Sequence, residues 1–108
     1  MTVASVADDT QTAVVTTEHT LDTETTPGVY ILVVDTNAMV ASDVLTLKIK
    51  TKCRVGGTSR LAFSAVYANA QADIIKYSPP IPVDVEIVCT LTQDEGTSRD
   101  FPWSLLKL

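Results

Sequence analysis

Six cations carry most of the binding chemistry this chain can offer. Lys48, Lys50, Lys52 and Arg54 recur at every second position, and Arg60 and Arg99 each close a Gly-Thr-Ser-Arg run. A period of two puts the first four on one face of a β-strand, because successive side chains of a strand point to opposite sides. Their chemistry is recognition of carboxylate or phosphate, with arginine the better donor for a planar, two-pronged acceptor. All six are candidate partner contacts. The other groups that could act are Asp84 and Glu86 at a spacing of two, the single histidine His19, and the two cysteines Cys53 and Cys89.

None of these forms a catalytic pattern. Asp84 and Glu86 share a strand face, which suits either a hard cation, acid-base work, or pairing with the Lys48 to Arg54 stripe on an adjacent strand. The pairing is the plainer reading, with both carboxylates facing water. His19 lies in an acidic, threonine-rich segment with neither a nucleophile nor a second ligand near it in sequence, and reads as a solvated residue. No phosphate-cradling glycine loop, nucleophile elbow or metal-ligand spacing is present in the sequence. The expectation is a protein that is not an enzyme, with no cofactor and no metal. Cys53 and Cys89 fall on the apolar parity of their strands and are expected as buried free thiols, a disulfide between them being the other reading.

The net charge of −5 and pI near 4.5 argue against general nucleic-acid binding, which needs a dominant basic surface. The cationic stripe has no stacking aromatic on its own face, so single-strand binding gains no support from it. A protein partner or an internal cross-strand pairing is the better expectation. No basic n-region precedes an apolar run at the N-terminus, and the longest apolar run, Val29 to Val34, is far short of the roughly 20 residues of a membrane helix.

The elements that must position these residues are strands. Residues 1–26 are acidic and rich in threonine, without lysine or arginine, and read as a partly flexible arm. Such an arm either frays or orders on a neighbouring subunit, and Ala13 to Thr17 could add an edge strand to it. Thr26-Pro27-Gly28 then launches Val29 to Asp35, apolar on both parities and expected to be a central strand covered on both faces. Asp43 turns the chain into Leu45 to Val55, whose odd positions are apolar, before the Gly56-Gly57 turn.

Arg60 to Ala68 follows with Leu61, Phe63, Ala65 and Tyr67 on one face. Its other face is small and weakly polar, suiting either close approach of another sheet or subunit, or a tolerant edge. Tyr77 to Pro82, with three prolines in four residues, reads as a stiff connector crossing between sheets. Val83 to Gln93 alternates cleanly, and Arg99 to Leu108 closes the chain at an edge or in extended coil. The expected fold is all-β: one antiparallel sandwich or small barrel, jelly-roll-like, of about six to eight strands over residues 27–108.

The Gly57 to Arg60 run recurs at Gly96 to Arg99, 39 residues on. Relative to their turns the two preceding strands differ in phase by one residue, Cys53 and Val55 lying at even offsets from Gly57 and Cys89 and Leu91 at odd offsets from Gly96, and such a slip exchanges strand faces. Shared turn chemistry is the plainer explanation. The other is that Arg60 and Arg99 are placed alike to meet a carboxylate or a neighbouring subunit.

Four segments, GVYILVVDTNAM from Gly28, LTLKIKTKCRVGGTSRLAFSAVYANAQ from Leu45, SPPIP from Ser78 and TLTQDEGTSRDFPWSLLKL from Thr90, together resemble small β-rich structural proteins of tailed bacteriophages. The resemblance covers residues 28–108 and is most specific at VDTNAM and GTSRDFPW. It implies a virion component without catalytic residues, foremost a capsid decoration or cement protein bound to the major capsid protein on the outer surface. Such a protein would be made in the host cytoplasm. Capsid symmetry makes a homotrimer the natural oligomer. A tail, neck or fibre module, or a cytoplasmic β-sandwich binding module, is the alternative.

Overall fold

Alternating apolar residues over short stretches, punctuated by turn formers, can be buried only by laying two sheets face to face. The computed structural model describes residues 2–108 and holds, among them, nine strands in two open antiparallel sheets. These are β1 (Ala4–Thr12), β2 (Glu18–Glu24), β3 (Gly28–Asp35), β4 (Val44–Thr51), β5 (Arg60–Ala68), β6 (Ile75–Tyr77), β7 (Ile81–Val83), β8 (Ile87–Glu95) and β9 (Asp100–Lys107). Sheet A runs β1-β9-β3-β6, with β7 also paired to β3, and sheet B runs β2-β8-β4-β5. The fold is a sandwich and not a closed barrel.

The core lies between the two sheets. Tyr30, Leu32 and Val34 of β3 with Phe101, Trp103 and Leu105 of β9 face Leu45, Leu47 and Ile49 of β4 with Ile87, Cys89 and Leu91 of β8. Phe63 and Tyr67 of β5 pack on its margin. The strands that supply both sheets' centres are those whose alternation is clearest in the sequence.

Several expectations are revised. Residues 4–12 and 18–24, read as part of an arm, are edge strands, one in each sheet, and Ala13 between them is fully buried. Their acidic side chains stay in water while the backbone supplies the pairing, so polar composition did not reveal a strand. Strand β3 is central in sheet A but covered on one face only. Val29, Ile31 and Val33 point outward, half-buried.

The proline segment does not cross between sheets. Strands β6 and β7 both pair with β3, and Ser78 between them exchanges two hydrogen bonds with Leu32: Ser78 N–H to the Leu32 carbonyl and Leu32 N–H to Ser78 Oγ, each 2.9 Å. Pro79 and Pro80 interrupt an edge strand where no N–H is required. The last segment, expected at an edge because of Pro102, is instead the central strand β9, paired on both sides by β1 and β3.

Candidate functional site

The cationic residues divide into three kinds of surroundings. Lys48 and Lys50 project from the outer face of sheet B, since their neighbours Leu47 and Ile49 fill the core. Strand β4 ends at Thr51, so Lys52 and Arg54 leave the stripe in the hairpin loop. Lys50 pairs with Glu18 of β2 at 3.4 Å, and Lys52 with Glu86 at 3.8 Å. Glu18 also accepts a 2.8 Å hydrogen bond from Thr90 Oγ1. That bond, opposed by desolvation and assisted by Lys50 and Lys48, holds the Glu18 carboxyl below its ordinary range.

Lys48 makes no ion pair among the described residues and stands between Ser64 and Thr90. Two of the four cations of the stripe, Lys50 and Lys52, are thus paired within the chain. Glu86 takes the part foreseen for it, Asp84 has no cationic partner among the described residues, and Glu18 is an acceptor that the arm reading had hidden. Half-exposed pairs of this kind contribute at most about 1 kcal/mol each.

Arg54 and Arg60 flank the β4–β5 hairpin. An open cleft of about 470 Å³ lies there, lined by both arginines with Thr51, Cys53, Gly57 and Thr58. The turn itself is built by Gly57 N–H bonding to the Arg54 carbonyl at 2.9 Å, with Gly56 at φ 77° as the residue that must turn left-handed. Cys53 is exposed here, contrary to its expected burial, because the strand ends before it; Cys89 is buried as expected. Burial first, and the charge of Asp22 second, push the Cys89 thiol up to about 12. Both cysteines are free.

The second Gly-Thr-Ser-Arg run does something else. It is not a hairpin within a sheet but the arch by which the chain passes from β8 in sheet B to β9 in sheet A. At its centre is Asp43, only 1% exposed, which ends the β3–β4 loop. Its Oδ2 accepts from Arg99 Nε at 2.9 Å and from Val40 N–H at 3.0 Å, and its Oδ1 from Thr97 N–H at 3.2 Å. Burial alone would raise the Asp43 carboxyl, but the three donors outweigh it and hold it below its ordinary range.

Gln93, fully buried, completes the arrangement. Its amide donates to the carbonyls of Glu95 (3.1 Å) and Thr97 (2.6 Å), and its oxygen accepts from Arg99 N–H at 3.0 Å. Ser98 Oγ donates to the Ala13 carbonyl, and Ala13 N–H donates to the Arg99 carbonyl. One buried polar cluster therefore ties together the β1–β2 crossing, the β3–β4 loop and the β8–β9 arch. Arg99 belongs to this cluster, whereas Arg60 opens β5 and meets no carboxylate among the described residues. His19 likewise serves the frame, its Nε2 accepting from Val14 N–H at 2.9 Å.

The surface that the sequence did not single out is the outer face of sheet A. Register sets Ile31 beside Leu106, Val33 between Ser104 and Tyr77, and Val29 beside Pro82. Ile75 is 44% and Tyr77 65% exposed. A shallow groove of about 210 Å³ runs between Val33, Asp35, Ile75, Pro102 and Ser104. The signal was present in the two-sided apolar pattern of Val29 to Val34, which implies a cover on each face. Among the described residues only one cover exists.

Comparison with known protein families, with curated protein sequences and with solved structures finds no match.

Proposed function

We propose that this chain is a non-enzymatic assembly protein, and more specifically a decoration or cement protein that binds the outer surface of a phage's major capsid protein and stabilises the shell. The observation that carries the assembly part is the outer face of sheet A. A contiguous apolar patch on one side of a small domain is unusual in a protein that works alone. Val29, Ile31, Val33, Leu106, Pro102, Ile75 and Tyr77 supply such a patch.

The buried groups with chemical potential are engaged in the frame: Asp43 by Arg99 and two backbone donors, Cys89 by burial. This supports a binding role over a catalytic one. The finer reading, virion and capsid surface, is supported by the resemblance of residues 28–108 to tailed-phage structural proteins. Many copies on a lattice would let modest contacts add by avidity.

A mass-spectrometric inventory of purified particles tests it. The chain is expected on the order of hundreds of copies per particle, as lattice decoration requires. Absence from the particle ends the virion reading, and a handful of copies replaces decoration by a neck or fibre role. Ile31→Glu with Val33→Glu, both on the outer face, should leave the fold intact and reduce capsid occupancy; unchanged occupancy would assign attachment to another surface.

A further inference from the structure

Each sheet of an open sandwich ends in two strands whose outer N–H and C=O groups lack a neighbour, and proteins normally blunt such edges with charge, bulges, prolines or short length. Three of the four edges here are blunted in that way. Strand β1 carries Asp8 and Asp9 and a bulge between Ser5 and Ala7. Strand β2 carries Glu18, Asp22 and Glu24 and a bulge between Thr20 and Asp22. Strands β6 and β7 have three residues each, separated by Pro79 and Pro80, and β7 contains Pro82.

The fourth edge, β5, is different. It is nine residues long, has no proline, and bears one charge, Arg60, at its first position. Leu61 is 55% and Val66 63% exposed. Its one irregularity is a bulge at Ala62, opposite Ile49 and Lys50, which turns Leu61 outward, against the face expected for it, and leaves Phe63 to Ala68 regular.

We infer that β5 is a pairing edge through which two copies of this chain associate, antiparallel about a two-fold axis at Ala65, joining their B sheets into one of eight strands. The inference goes beyond the virion reading and does not depend on it. The register follows from side-chain parity, because residues directly opposite in an antiparallel pair share a face. Phe63, Ala65 and Tyr67 lie on the inner face with Leu45, Leu47 and Ile49.

An axis at Ala65 sets Phe63 opposite Tyr67, Ser64 opposite Val66 and Ala62 opposite Ala68. An axis at Ser64 would set outward Leu61 against inward Tyr67. One at Val66 would run Phe63 into Asn69, whose φ of 65° ends the strand. The chosen register makes two Phe63–Tyr67 cross-strand aromatic pairs, a favourable combination in sheets. Tyr67 already carries the Lys76 ammonium 4.9 Å from its ring centroid.

Charge agrees with a second copy as the occupant. In this register the pairing runs from Ala62 to Ala68, and Arg60 lies beyond it, at the end where the other copy's chain continues into the β5–β6 loop that contains Asp73. The β1 and β2 edges carry acidic residues, which a second copy of the same strand would oppose with like charge. A closed two-fold contact also uses up the open edge of both copies, which leaves no template for further strand addition.

Sedimentation equilibrium of the full chain at tens of micromolar should give twice the 11.6 kDa chain mass. Ser64→Glu with Val66→Glu tests the register, the first of these facing Lys48 of its own chain. Both positions are exposed in the single chain, but in the pair each substituted position 64 faces a substituted position 66, twice over. Two directly opposed like-charge pairs should weaken association by about tenfold or more while the circular dichroism and melting of the chain stay near wild type.

With the exposed Cys53 replaced by serine, Ala65→Cys should cross-link to its own copy on oxidation, and Val66→Cys should not. A wild-type chain that stays monomeric or sediments as a trimer overturns the inference. So does a double variant that associates as tightly as wild type, or a cross-link at position 66 without one at 65.

Discussion

Asp43→Ala should be among the most damaging single substitutions in this chain. The aspartate is 1% exposed and takes three donors, the N–H groups of Val40 and Thr97 and the Arg99 guanidinium. Truncation leaves two backbone donors unpaired, at about 1–3 kcal/mol for a fully buried one and toward the lower end here, because Val40 and Thr97 are exposed residues. It also strands a cation that is 29% exposed, so water recovers part of that term.

Together these give a loss of about 2–4 kcal/mol, a large share of the roughly 5–15 kcal/mol that holds a domain of this size. At an unfolding entropy typical for the size, the melting temperature falls by about 9–18 °C. Calorimetry or a circular-dichroism melt at pH 7 reads it directly. The pH profile supplies an independent check. Because the folded Asp43 carboxyl is held below its unfolded value, its contribution is complete above the unfolded value and is lost as pH falls through the folded one. The acid-side slope of wild type should therefore be reduced in Asp43→Asn. A change of under about 0.5 kcal/mol for Asp43→Ala would refute the cluster as a stabilising centre.

The two glycine turns should respond unequally. Gly96→Ala places a methyl 2.0 Å from Asp43 Oδ1 at a φ of 100°, and Gly56→Ala at φ 77° meets nothing within 4 Å. A loss of about 1 kcal/mol is expected at Gly56 and several times that at Gly96, measured by urea unfolding. A thiol reagent should titrate one cysteine in the native protein and two in denaturant, and Cys53→Ser should remove the native one. Glu24→Gln should stabilise the protein at neutral pH. The neighbouring Asp22 carboxyl first, and burial second, raise the Glu24 carboxyl. Folding therefore favours its protonated form, an advantage present at low pH and lost as pH rises through the folded value. The gain of the variant over wild type should vanish in acid.

Much of the sandwich is legible in single residues. Leu45, Leu47 and Ile49 against Thr46, Lys48 and Lys50 give β4, its inner face and its end-to-end direction without further information. The same alternation marks β8 and the aromatic positions of β5. What alternation does not encode is partner and sheet. Asp8, Asp9, Glu18 and Asp22 look like an unstructured acidic stretch because an edge strand needs only its backbone paired on one side.

The near-identical runs at Gly57 and Gly96 look alike in sequence and differ in space because what surrounds them comes from Asp43, Gln93 and Ala13, remote in the chain. Arg99 was a sound candidate for meeting a carboxylate, but the carboxylate is the chain's own. The outer face of sheet A was visible as the two-sided apolar pattern of Val29 to Val34, and only the three-dimensional fold shows that one side has no cover among the described residues.

The central claim, a surface protein of a phage shell, is tested most directly by an averaged image of the particle that carries the chain. The account predicts a two-sheet density repeated over the outer capsid lattice, seated on the Val29, Ile31, Val33 and Leu106 face. Particles whose outer lattice is bare, with the chain at the neck or tail or missing altogether, would contradict it.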